Sequence, residues 1–265
     1  MKSIIITTLT VLGIVLLGSF IFMIGKGDSR LEQAANFYQK GEKATTIIER
    51  SQAFNQALDL YLQLDRGHHP RHGNGALYYN IGNTYFQLGE YPRAILYYHR
   101  AQALQPRNHQ IARNLDVVNQ KLELQKGSQT NGLGNFFVFN SLLSIPERIQ
   151  IFFGLCVLFF GFLIVNTWWP YSQLRIGAIV CGIALSLVSL SLIYTYYFSP
   201  IKAIIVRPVE MRRDAGLQYA KVDGKLLSAG MEVEVLSTTS SGDWLKIVTP
   251  KGELGFVPQS TIEAE

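Results

Sequence analysis

The sequence predicts a multi-domain membrane protein in three parts: an all-α solenoid of paired helices, transmembrane helices, and a small all-β barrel. Three observations carry this. Between Tyr78 and Pro106, small and aromatic side chains recur at i, i+3, i+4 and i+7, the stripe of packed amphipathic helices. Two uncharged runs, Ile149–Trp169 and Ile176–Phe198, are each long enough to cross a hydrocarbon core of ~30 Å. Beyond them the apolar period falls to two, as in Met231-Glu-Val-Glu-Val-Leu236.

The bulk composition agrees. Of 265 residues, 48% are hydrophobic and only 16% charged, against ~25% charged in an ordinary soluble domain. The formal net charge is +5, but Lys and Arg are spread along the whole chain. No basic cluster with interleaved aromatics marks a nucleic-acid surface. The two cysteines, Cys156 and Cys181, each sit inside an apolar run. Neither has partners at the spacing a disulfide or metal site needs, so they read as small lipid- or helix-facing residues.

Residues 1–30 contain the first apolar run, Ile4 to Ile24, between Lys2 and Lys26. It is longer than the ~7–15 residues of a secretory h-region, and no Ala-x-Ala follows it. The run reads as a signal anchor or a signal peptide, with the anchor favoured.

Residues 31–126 are helical in pattern. The clear unit reads Tyr78-x2-Ile81-Gly82-x2-Tyr85, then Ala94-x3-Tyr98, then Pro106. This spacing resembles the tetratricopeptide repeat, with Tyr for the usual Trp, Ile for Leu and Tyr for Phe. Gly89 is expected to end the first helix, and Pro92 suits the first turn of the second, where a missing N–H is no loss. Gly82, Ala94 and Ala101 allow close helix approach while tyrosines fill the space around them. A weaker copy precedes it: Phe37-Tyr38-x2-Gly41, Ala57-x3-Tyr61 and Pro70. There the stretch from Gly41 to Phe54 is longer by roughly ten residues than the repeat's period allows. A longer first helix or an insertion in the turn is the expected cause. After Pro106, Ile111, Leu115, Val118 and Leu122 mark a third amphipathic element, with Arg113, Asp116, Asn119, Lys121 and Glu123 on its polar face. Such an element closes the exposed end of a solenoid.

Residues 127–144 form a Gly/Asn/Ser/Gln linker carrying Phe136, Phe137 and Phe139. Ser144-Ile-Pro-Glu147 predicts a capping box that launches a helical hairpin over 145–200. Trp168, Trp169, Tyr194, Tyr196 and Tyr197 suit an interfacial aromatic belt, and Pro170 to Arg175 reads as the tight turn. In the tail, 201–265, Lys202–Val206, Met231–Leu236, Trp244–Val248 and Leu254–Val257 predict short strands of a closed barrel.

This tail resembles a bacterial SH3-like domain, through Ala229-Gly-Met-Glu-Val-Glu-Val-Leu236, Gly242-Asp-Trp244-Leu-Lys-Ile247 and Gly252-Glu-Leu-Gly-Phe-Val257. Phe256 stands where that family more often has Trp, and Val209-Glu-Met-Arg-Arg213 echoes its early segment. Trp244 and Phe256 are expected to belong to the core rather than to a ligand platform. The whole order, from apolar start through repeats and hairpin to SH3-like tail, resembles BatE-type proteins of bacterial aerotolerance (Bat) operons. That resemblance implies an inner-membrane protein that works beside other Bat-type membrane proteins in a stress-related role.

The sequence shows no Ser-His-Asp order, HExxH, P-loop or paired-carboxylate motif, so a non-enzymatic reading without cofactors is favoured. His68-His69-Pro70-Arg71-His72 reads as a polar loop rather than a metal site. The best functional surface is the repeat. Tyr79, Asn80, Asn83 and Gln87 are expected to project from its first helix toward a protein-binding groove, where amides can clamp an extended backbone. Two spans between repeats and tail would put both on one side of the membrane, and the periplasm is the expected side. The function expected is a membrane-anchored adaptor or scaffold for partner proteins at the cell envelope. The alternative is an envelope sensor whose tail binds peptidoglycan.

Overall fold

The computed structural model describes residues 29–67, 74–124 and 142–264. The run Ile4–Ile24, the His68–His72 loop and the aromatics of the 127–144 linker lie outside the described residues. The chain divides at Leu64/Asp65 into two units.

The first unit is a helical hairpin of α1 (Ser29–Lys43) and α2 (Ile47–Gly67). Thr46 Oγ1 accepts the Glu49 N–H at 3.2 Å and so opens α2. Ala34, Ala53, Phe54, Ala57 and Tyr61 form its core, with the Tyr38 and Phe54 rings 5.2 Å apart. The expected stretch between Gly41 and Phe54 lies neither in a longer first helix nor in the turn. Helix α1 has 15 residues and the turn is Ala44–Thr46, but α2 has 21 residues. Burial in α2 begins only at Ala53, and Ile47 and Ile48 are 86% and 72% exposed. The extra length is a solvent-facing N-terminal extension of the second helix.

In the second unit, α3 (Gly75–Gln87), α4 (Tyr91–Leu104) and α5 (His109–Lys121) follow one another. Asn74 Oδ1 accepts the Ala76 N–H at 2.9 Å and Asn108 Oδ1 the Gln110 N–H at 3.0 Å, satisfying donors that each helix start leaves open. Gly89 ends α3 at φ +80° and Pro92 lies in the first turn of α4. Ile81, Ala94, Ile95, Leu96, Tyr98 and Ala101 are fully or almost fully buried. A Cβ on Gly82 would lie 2.7 Å from the Tyr98 ring, so only glycine admits that ring between α3 and α4. Tyr97 stacks on Tyr85 at 5.5 Å, and burial pushes its phenol up to about 12 despite the nearby Arg100.

Helices α6 (Ile145–Trp168) and α7 (Ser172–Phe198) form an antiparallel hairpin. The predicted capping box is present: Glu147 N–H donates to Ser144 Oγ at 3.4 Å, and Ser144 N–H donates to Glu147 Oε2 at 2.9 Å. The turn is shorter than predicted. Tyr171 caps α7, so the turn is Trp169–Tyr171 and Arg175 belongs to the first turn of the helix. Both helices are long and apolar enough to cross a membrane. Their outward side chains are large and apolar, as at Val157, Ile164, Ile179 and Ile183. Arg148 is 4% exposed; it donates to Ser191 Oγ at 3.1 Å and Thr195 Oγ1 at 2.8 Å, joining the start of α6 to the end of α7.

The remainder is a seven-stranded antiparallel sheet: β1 (Ile201–Ile205), β2 (Val209–Arg212), β3 (Lys221–Leu227), β4 (Glu232–Thr238), β5 (Trp244–Val248), β6 (Leu254–Pro258) and β7 (Ile262–Ala264). Its order is β3-β2-β6-β5-β4-β1-β7. The four expected strands appear within two residues of their predicted bounds, and β2, β3 and β7 are additional. Ala203, Ile205, Val209, Met211, Val233, Leu245, Ile247 and Val257 make the core. Trp244 and Phe256 do not belong to it. They alternate with buried Leu245, Ile247 and Val257, which puts them half-buried on the outer face. There Trp244 pairs with Pro258 and Phe256 with Lys246.

One end of this sheet packs on α4. Ile204 points away from the core that Ala203 and Ile205 enter, yet it is fully buried, because α4 covers that face. Arg93 Nε donates to Glu263 Oε1 at 3.1 Å and Arg100 Nη2 to the Ala264 carbonyl at 2.7 Å. The same guanidiniums lie over the Tyr85 and Tyr97 rings, at 5.9 and 4.9 Å. His99 Nε2 stands 3.6 Å from Glu232, whose other oxygen receives Lys202 Nζ at 2.5 Å. Burial holds the His99 imidazole below its ordinary value; Glu232 pulls upward, but Lys202 pushes down again.

Two predictions follow from this packing. Gly82→Ala should destabilise the protein by ~1–3 kcal/mol through overpacking against Tyr98, read as a lowered denaturation midpoint. For His99, the folded state binds its proton more weakly than the unfolded chain, which titrates near ~6.5. Stability should therefore fall as pH drops through ~6.5 toward the lower folded value. Thermal melts between pH 7.5 and 5 should show a weaker slope in His99→Gln than in the parent.

Candidate protein-binding groove

The groove is built from the faces that α3 and α5 turn toward each other. On α3, positions 79, 83 and 86 share one stripe at helical spacing, and on α5 positions 114, 117 and 121 do the same. Tyr98 of α4 comes up between them from below. Its hydroxyl donates to Asn83 Oδ1 at 2.8 Å, and Asn114 Nδ2 donates to the same oxygen at 2.9 Å. Asn114 Nδ2 also reaches Tyr79 Oη at 3.3 Å. The Tyr79 and Tyr98 rings are 6.0 Å apart. Three helices thus share one polar cluster, half-buried under the groove floor.

Toward the other end the groove turns aromatic and cationic. Phe86 and Tyr91 pack with centroids 5.6 Å apart. Lys121 Nζ hovers over both rings, at 5.9 and 5.7 Å. Val117, 43% exposed, lies between Asn114 and Lys121 on the same stripe. Rings that keep an open face, amides with spare donors and one ammonium form a surface suited to holding an extended peptide.

Of the residues singled out in the sequence, Tyr79 and Asn83 are brought together on this face. Asn83 already has its carbonyl oxygen engaged, so only its amide donors are available for a ligand. Asn80 and Gln87 are half-buried. Each follows a groove-side ring by one residue and so stands about 100° around the helix, on its other flank. Sequence reasoning missed Phe86, Asn114 and Val117 as groove residues, and assigned Lys121 only to a polar face. Their spacing on a common helical stripe is the signal that would have found them. Among the described residues no group of three or more His, Cys, Asp or Glu side chains converges to hold a metal.

The decisive finding is a family match. Residues 76–108 match the family model of the tetratricopeptide repeat. The match runs from α3 through α4 to the start of α5, and so supplies Tyr79, Asn83, Phe86 and Tyr98. A tetratricopeptide repeat is a non-catalytic fold, and its presence speaks for a protein–protein interaction adaptor. No curated protein matches the chain.

Asn83→Leu should cost ~1–3 kcal/mol, since it leaves the buried Tyr98 hydroxyl without its acceptor. A chemical denaturation curve checks this, and Asn80→Leu should stay within ~0.5 kcal/mol of the parent.

Proposed function

We propose that the protein is a membrane-anchored adaptor that holds partner proteins at the cell envelope through its repeat. The observation that carries this reading is the tetratricopeptide match at 76–108, over a face where Tyr79, Phe86, Val117 and Lys121 remain accessible. The hairpin α6–α7, with its outward apolar side chains, is read as the anchor, inserted in the bacterial inner membrane. Two crossings return the chain to the side it left, so repeat and sheet share one compartment, which we take to be the periplasm. In this reading the modules are the N-terminal segment 1–30, the repeats 31–126, the linker 127–144, the hairpin 145–200 and the tail 201–265. The tail is taken as an SH3-like barrel and the whole as a BatE-type component that works with other Bat-type membrane proteins. Contacts across α4, including Arg93 to Glu263 and Arg100 to Ala264, support repeat and tail acting as one tethered body.

A second reading has its own observation. Trp244, Phe256 and Pro258 lie on the outer face of the sheet, with Lys246 Nζ 6.0 Å from the Phe256 ring. Aromatic faces beside a cation suit a wall glycan or peptide, so the tail is the part that would sense peptidoglycan.

Affinity capture with the full chain, cross-linked in membranes, should recover an envelope protein. Phe86→Ala combined with Lys121→Glu should reduce that recovery at least about tenfold, the loss expected for one aromatic anchor and one charge reversal. Unchanged recovery would exclude this groove as the partner site. Reporter fusions placed after Leu124 and after Ala264 should report the same compartment, and opposite compartments would remove the two-span anchor.

A further inference from the structure

We infer that the turn end of the α6–α7 hairpin is a binding site for one anionic phospholipid with a hydroxylated headgroup; this rests on the membrane-spanning reading above. A cavity of about 270 Å³ opens there between the two helices, lined by Phe159, Leu163, Asn166, Arg175, Ala178 and Gly182. Its wall is apolar except at two points. The Asn166 Oδ1 atom is shielded from solvent and receives no hydrogen bond among the described residues. Arg175 is exposed at the rim, in the first turn of α7, and forms no ion pair within 4.0 Å among the described residues.

Each feature asks for a different part of one molecule. A buried acceptor without a donor is costly, and a headgroup hydroxyl supplies the donor. A guanidinium at the level of the lipid headgroups binds a phosphodiester by paired N–H donation. The apolar wall between α6 and α7 then takes an acyl chain. Trp168, Trp169 and Tyr171, all more than half exposed, flank the rim as side chains do at a membrane–water boundary. A neutral choline headgroup offers neither the net charge nor the donor. An apolar helix from another protein, its backbone N–H groups spent on its own ladder, would leave both Asn166 and Arg175 unmet.

The test uses the purified full chain in micelles containing equal amounts of phosphatidylglycerol and phosphatidylcholine with the same acyl chains. Native mass spectrometry should show one phosphatidylglycerol retained in clear preference. Arg175→Gln, an exposed change that leaves the hairpin packing intact, should lower that retention about tenfold. Asn166→Leu should lower it further, and Arg175→Lys should restore part of it. Equal retention of both lipids, unchanged retention in Arg175→Gln, or a dimer cross-linked through a cysteine at Leu163 in place of bound lipid would each overturn the site. Carbonate extraction of the parent membranes separates the two claims. Release into the supernatant removes the membrane reading itself, whereas a chain that stays in the pellet without lipid preference removes only the lipid site.

Discussion

Tyr98 is the side chain on which the helical part of the second unit depends. Its ring fills the space left by the missing side chain of Gly82, and its hydroxyl donates to Asn83, which also receives Asn114. One residue of α4 therefore sets the distance to α3 and, through a shared acceptor, the position of α5. The floor of the groove is the visible result. A smaller ring would leave a void, and a ring without a hydroxyl would leave Asn83 and Asn114 to arrange themselves differently. The aromatic and cationic wall formed by Phe86, Tyr91 and Lys121 follows from the same spacing, because these groups lie on the neighbouring turns of the helices that Tyr98 holds.

Helix α4 works on two faces. Tyr98 and Ala94 look toward α3, while Arg93, His99 and Arg100 look toward the sheet. Arg93 and Arg100 each rest on a tyrosine of the helical pair and hydrogen-bond to the last strand of the sheet. Their planar guanidiniums can stack and donate at once, which a lysine cannot do. The sheet therefore meets the helical pair through α4, and not through the facing stripes of α3 and α5 that carry Tyr79, Asn83 and Asn114.

In the hairpin, polar groups mark the places where the helices are constrained. Arg148 bonds to Ser191 and Thr195 at one end, and Asn166 and Arg175 face the cavity at the other. Between them the outward surface is almost wholly aliphatic and aromatic. Such a surface is at rest in lipid and costly in water, by ~25 cal/mol per Å². Mid-way along α7, Ser186 and Ser189 return their hydroxyls to the helix's own carbonyls, of Gly182 and Leu185.

Periodicity was enough to find the elements whose stabilising pattern is local. The stripe from Tyr78 to Tyr98, the Ser144–Glu147 capping box, both apolar helices and the β5 strand Trp244–Val248 could be read from residue spacing, because helix and strand periods are written in consecutive residues. Strands β2, β3 and β7 could not. They are short or carry charged and Gly residues, and only hydrogen bonds to strands distant in the chain hold them extended. The outer placement of Trp244 and Phe256 escaped for a related reason: alternation names two faces but not which one meets the core. Of the side chains on the facing stripes of α3 and α5, Tyr79 and Asn83 could be placed from the repeat's own period, whereas Asn114, Val117 and Lys121 come from a second helix. The sequence by itself determined that there would be helical pairs, two long apolar helices and a β-rich tail, since each is an intrinsic property of a contiguous segment. Only the tertiary structure decided that the tail docks on α4 and that Asn83 and Asn114 meet over Tyr98, because those choices depend on Tyr98, Arg93 and Arg100 meeting partners on other elements.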